Sequence, residues 1–194
     1  MIGYELTRGL AYRSIRHPEM HWYTRTLPFI AAALVSALVL ALPSPPALLG
    51  KDGLVAASLS VISTLPGFYF AGLAAVATFN GLNMDALMPS PAPELKVKVG
   101  GQPSLLRLSR RQFLSYLFSY LVLLSFILCA LSLLLALLTP TLLELKERFL
   151  ANGFLHLWQT LRLLGIFSYS LIASSIAITS LHGMFFLTER IHQP

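Results

Sequence analysis

Cysteine occurs once in this chain, at Cys129, so a single copy can build neither a disulfide framework nor a cysteine zinc site. Paired-cysteine redox chemistry is excluded with them. Charge is scarce as well: 11% of residues are Asp, Glu, Lys or Arg, less than half of the roughly 25% found in soluble domains. None of the few acids lies deep in an apolar run, although proton-coupled transporters and many intramembrane hydrolases work through buried carboxylates. The patterns HExxH, GxSxG and GxxxxGK(S/T) are missing, and no inverted repeat is visible. The expectation is a protein that is not an enzyme and needs no cofactor or metal. A small transporter or a lipid-modifying enzyme ranks last among the readings.

What the chain has instead is hydrophobic length. Thr26–Gly50, Gly53–Met84, Gln112–Leu143 and Leu163–Thr188 carry no charge. Each exceeds the about 20 apolar residues with which a helix crosses a bilayer while satisfying its own backbone. The expected fold is all-α and integral to the membrane, one domain over 1–194, with spans at about 26–46, 54–79, 112–138 and 163–187. The longest connection, Asn80–Arg111, is shorter than the about 50 residues of an independent domain.

Basic residues set the orientation. Arg8, Arg13, Arg16 and Arg25 precede the first span, Lys96, Lys98, Arg107, Arg110 and Arg111 separate the second from the third, and Arg190 follows the last. The other two loops hold only Lys51, Lys146 and Arg148, with Arg162 at the edge of the fourth span. This bias places both termini and loop 80–111 in the cytoplasm, and 139–162 outside. The net charge of +6 then reads as topology and attraction to anionic lipid, since no compact basic domain exists to hold nucleic acid directly. The first run reads as an uncleaved anchor: its lead is long, and Leu40–Ala47 offers no small-residue cleavage site.

In segment 1–25, Ile2, Leu6, Leu10 and Ile15 interleave with Arg8, Arg13 and Arg16 at a spacing that predicts an interfacial helix on the inner leaflet. Trp22 and Tyr23 follow at headgroup level. His17 and His21, with Pro18 between them, make a poor metal site. Ala33, Ala37 and Ala41 in the first span, and Gly67, Ala71 and Ala75 in the second, are small-residue seams that pack spans together or join protomers into a homo-oligomer, a tetramer being one such assembly. Pro66 predicts a kink. In loop 80–111, Leu95 to Val99 alternates with Lys96 and Lys98 before Gly100 and Gly101, the pattern either of a short hairpin open to strand addition or of a solvated loop.

Arg13, Arg16, Lys96, Lys98, Arg110 and Arg111 are the expected contacts to lipid or to a partner. Ser109 and Gln112 have capping-box spacing and start the third span at Arg110. Beyond it, Leu142–Leu150 predicts an amphipathic helix stopped at Asn152 and Gly153. Trp158 and Arg162 sit at the outer interface, with Arg162 either snorkelling or meeting an external ligand or an acid such as Glu144. In the fourth span Ser168, Ser175, Thr179 and His182 share one face, for packing or for lining a pore between protomers.

The segment Phe70, Ala71, Ala74, Ala75, Val76, Ala77, Thr78, Phe79, then Met84 and Asp85, then Arg110, Arg111, Phe113, Leu114, Tyr116 and Leu117, together with size and four-span layout, resembles small bacterial membrane proteins encoded beside anti-phage genes. Among these it is similar to the membrane subunit of the Kiwa defence system. The resemblance implies a multimeric inner-membrane sensor of phage attack with a soluble DNA-binding effector on the cytoplasmic side. It brings no functional residues with it.

Overall fold

The computed structural model describes residues 7–43, 47–50, 53–78, 84–99 and 102–189. After a 3₁₀ turn at Thr7–Ser14 and a π-helical turn at Trp22–Thr26 come α1 (Leu27–Ala41), α2 (Leu54–Ile62), α3 (Leu65–Thr78), β1 (Glu94–Val99), β2 (Gln102–Arg107), α4 (Arg110–Leu137), α5 (Thr139–Ala151) and α6 (Leu155–Thr188). The helical stretches Trp22–Ala41, Leu54–Thr78, Arg110–Leu137 and Leu155–Thr188 are long and apolar enough to cross a membrane. Their outward side chains agree: Phe68 is 72% exposed and Leu137 69%, apolar surface that only lipid or another chain can cover.

The first helix starts before the apolar pattern does, at Trp22, and ends at Ala41 instead of continuing to 46. The cause is local. Leu42 precedes Pro43, whose ring crowds a helical predecessor, and Leu42 adopts ψ 130°. The second span, expected as one kinked helix, is two helices with a turn at Ser63 and Thr64. Pro66 has no amide hydrogen for the carbonyl of Ile62, four residues back. That carbonyl accepts instead from the Cys129 thiol at 3.2 Å. In lipid a freed backbone group must find a partner on a neighbouring helix, and the lone cysteine supplies it.

The alternation at 95–99 forms a hairpin, β1 pairing antiparallel with β2 from Glu94↔Arg107 to Val99↔Gln102. Below it the preceding chain stays paired with the start of α4: the N–H of Arg110 donates to Ala86 O and that of Arg111 to Met84 O. A complete capping box closes the helix start, Gln112 N–H donating to Ser109 Oγ (3.3 Å) and Ser109 N–H to Gln112 Oε1 (3.1 Å). At the other end of α4, Gly153 takes φ 77° and stops the amphipathic α5.

α3 lies along α4, α1 along α6, and α4 meets α6. The core is concentrated where the N-terminal turn, the hairpin and the start of α4 come together, with Tyr12, Leu95, Leu108, Leu114 and Leu117 sealed from solvent. We call this the hairpin end, and the α5 side the far end.

Candidate docking surface at the hairpin end

The N-terminal segment Thr7–Ser14 is a 3₁₀ turn and not a separate amphipathic α-helix. It is inserted into the bundle, a correction to the expectation for segment 1–25; Ile2 and Leu6 fall outside the described residues. Tyr12 is 0% exposed, stacked on Tyr120 (centroids 5.3 Å) and tilted against Phe113 (5.9 Å). Its hydroxyl meets His182 Nδ1 at 3.1 Å. His182 in turn stacks on Tyr23 at 4.3 Å. A bare glycine, Gly9, lets the turn approach α4: a side chain there would meet Leu123 at 3.1 Å. Arg8 seals the edge, donating to the Tyr116 hydroxyl at 2.6 Å with its guanidinium over that ring.

Burial, with smaller contributions from Tyr120 and Tyr23, pushes the Tyr12 phenol up from its ordinary value of 10.0. A raised folded-state pKa means that the neutral phenol favours the docked turn. That contribution is complete below pH 10 and is lost as pH rises through the folded value.

The same turn reaches the hairpin through its backbone. Arg16 N–H donates to Glu94 O at 2.8 Å and Glu94 N–H to Arg16 O at 3.1 Å. Because Glu94 spends both groups on Arg16, the pair Glu94↔Arg107 is a non-hydrogen-bonded one. Alternation then places the β1–β2 bonds at Leu95↔Leu106 and Val97↔Ser104, and turns the amides and carbonyls of Leu105 and Arg107 outward. Pro103, which has no N–H to give, falls on the outward parity as it must. Leu95 is 1% exposed beneath the hairpin, while Lys96 and Leu105 are exposed above it. An ion pair of Arg107 with Glu94 (3.5 Å) ties the strands on that upper face. An open hollow of about 490 Å³ between turn and hairpin is lined by Arg8, Ser14, Arg16 and Lys96.

Of the basic residues expected to touch lipid or a partner, Arg13, Arg16 and Lys96 are exposed here, and the Lys98 side chain lies outside the description. Arg110 and Arg111 are corrections. Arg110 is 5% exposed. Arg111 grips Asp85 with two bonds, 2.7 and 3.0 Å, and donates to the carbonyls of Ala77 (3.2 Å) and Val76 (3.5 Å) at the end of α3. It caps the negative end of a helix.

The small-residue seams do not pack the spans of one chain together. Ala37, Ala41, Gly67, Ala71 and Ala75 are exposed, Ala33 is half-buried, and nothing stands within 4 Å of a side chain built at Gly67. The small residues that permit close approach are Ala32 and Ser36 on α1, Gly72 on α3 and Gly183 on α6. Gly72 was legible only through its place on the buried face of Leu65, Tyr69 and Val76. The polar stripe of α6 runs from exposed Ser168 past half-buried Ser175 to Thr179 and His182 inside the bundle. Ser175 bonds back to Leu171 O at 2.7 Å, while the buried Thr179 Oγ1 has no partner among the described residues. His17 and His21 take local bonds, to the Glu19 amide (3.3 Å) and the Thr26 hydroxyl (3.1 Å). Trp158 packs on Phe149 at the far end.

No family model, known protein or solved structure matches this chain. Among the described residues no three His, Cys, Asp or Glu side chains gather as metal ligands would. What the hairpin end offers is a basic surface beside a strand edge that is unpaired among the described residues.

Proposed function

We propose that the chain is a non-enzymatic scaffold and sensor subunit of a bacterial inner membrane that holds a soluble effector against its cytoplasmic face, as the resemblance to the Kiwa membrane subunit implies. The observation that carries this reading is the outward edge of β2, fixed in place because β1 is already paired with the N-terminal segment. A free edge on a supported hairpin accepts a strand from another protein, and Arg13, Arg16 and Lys96 favour an acidic one. The exposed seams on α1 and α3 serve contacts between protomers.

Leu105→Pro removes an outward amide and leaves the β1–β2 ladder whole. In a mild-detergent pull-down of the tagged protein expressed from its native locus, a soluble partner at fixed stoichiometry is expected, and the substitution lowers its recovery about tenfold. Recovery unchanged by Leu105→Pro, or no partner in the wild type, overturns the reading.

The cytoplasmic placement of the hairpin is a proposal too, supported by the positive-inside bias and by the backbone pairing of Arg16 with Glu94, which brings two basic segments to one end. Cysteines at Lys96 and Lys146 label from opposite sides in a Cys129→Ser background, where serine still donates to Ile62 O. Labelling of both from one side overturns the topology. A second reading rests on the exposed Ser168 and half-exposed Ser175: protomers meeting along α6 would line a pore, and a partner-free homo-oligomer that conducts in reconstituted bilayers would put that reading first.

A further inference from the structure

We propose that the far end of the bundle is a binding site for a membrane lipid with an anionic phosphate headgroup, one acyl chain lying in a side cavity between α1, α2, α4 and α6 and the phosphate on Arg162. The cavity is about 460 Å³, within the roughly 300–1,000 Å³ of ligand pockets. Its walls are apolar, with Val35, Val39, Leu54, Leu135, Gly165 and Ala173 among them. Its polar lining beside Arg162 is hydroxyls alone, from Ser58, Tyr169, Ser170 and Ser174. Tyr169 joins Ser58 (3.1 Å) and Ser132 (2.9 Å) through its hydroxyl, tying α6 to α2 and α4.

Arg162 stands where this cavity runs into a second hollow that shares Val39, Arg162 and Ile166 and adds His156, Gln159 and Thr160. It makes no hydrogen bond or ion pair among the described residues, and Glu144 does not reach it. Its depth is right for a headgroup. Along α6 the rise from Arg162 to His182, which belongs to the hairpin-end cluster, is about 30 Å, the thickness of a hydrocarbon core. A cation at one interface therefore opens onto an apolar cavity that descends from it. Guanidinium binds phosphate through paired charge-assisted bonds, while His156, Gln159 and Thr160 offer further polar contacts to a headgroup. A soluble anion would use the mouth and leave the apolar cavity idle. A lipid uses both, which is why the occupant is a lipid.

The test is native mass spectrometry of the full chain extracted from vesicles of equal phosphatidylglycerol and phosphatidylcholine. The wild type is expected to retain phosphatidylglycerol in about fivefold preference, the size of one arginine contact to an anionic lipid. Arg162→Gln brings the preference close to one, Arg162→Lys keeps most of it, and Gly165→Leu, which grows into open space in the cavity, lowers retention of both lipids. Three results overturn the proposal: a preference that survives Arg162→Gln, which would assign it to the basic hairpin end; retention indifferent to Gly165→Leu; or inorganic phosphate displacing the retained lipid at millimolar concentration. The readout is independent of any effector, so failure here leaves the scaffold reading standing.

Discussion

Tyr12→Ala is expected to release the N-terminal segment and, with it, the edge that holds the hairpin. Truncating a sealed aromatic costs about 3–5 kcal/mol, and Tyr12 is 0% exposed, its ring against Tyr120 and Phe113 and its hydroxyl on His182. Its hydroxyl bond to His182 is the smaller part, about 0.5–1.5 kcal/mol for an ordinary hydrogen bond. The ring therefore dominates, and Tyr12→Phe should behave nearly as wild type. Limited trypsin digestion separates the two, because cleavage after Arg13 and Arg16 requires the turn to open. Tyr12→Ala should speed it at least about a hundredfold and Tyr12→Phe by less than about tenfold. Equal protection in wild type and Tyr12→Ala would mean that the inserted turn contributes no stability. Release of Arg16 also frees Glu94, so recovery of a soluble partner should fall along with protection.

The spans, the capping box at Ser109 and Gln112 and the stop at Gly153 were legible because each is written within a few neighbouring residues. The hairpin was half legible: Leu95 to Val99 carries a strand period, but Arg16, whose pairing fixes its free edge, lies far upstream. The insertion of Tyr12 was not legible. The four-residue apolar spacing of the N-terminal segment puts Leu10 and Ile15 on one lipid-facing side, yet Leu10 is exposed while Ile15 is buried with Ala11 and Tyr12, through contacts with the bundle that no local period encodes. Arg111 illustrates the same limit. A basic residue at a span boundary ordinarily meets phosphate, and only the fold brings Asp85 and the end of α3 within reach. The alanine seams failed by a rotation: neighbouring residues on a helix differ by about 100°, so Ala32 packs where Ala33 does not, and a four-residue repeat of small side chains leaves its facing open.

Gly183→Leu is expected to destabilise the bundle more than Gly72→Leu, although the nominal clash ranks them the other way. A side chain at Gly72 would stand 2.5 Å from the Phe118 ring; one at Gly183 would stand 3.0 Å from Leu117 Cδ2. What differs is where the neighbour can go. Phe118 packs against the core where α4 meets α3 but is only half-buried, so its ring has an open side to turn toward, whereas Leu117 is 0% exposed and Gly183 is itself buried. Overpacking a closed site costs about 1–3 kcal/mol. Replacing glycine in a helix returns up to about 1 kcal/mol of propensity at either position, so Gly72→Leu should fall near neutral and Gly183→Leu should remain clearly destabilising. Thermal unfolding in one detergent should therefore show a lowered midpoint for Gly183→Leu alone. Leu117→Ala in that background should restore part of the loss by vacating the space, while on its own it should cost about 2–5 kcal/mol as a cavity. A Gly72→Leu midpoint below that of Gly183→Leu would show that the helix contact between α3 and α4, and not the sealed joint between α4 and α6 beside His182, sets the stability of the platform.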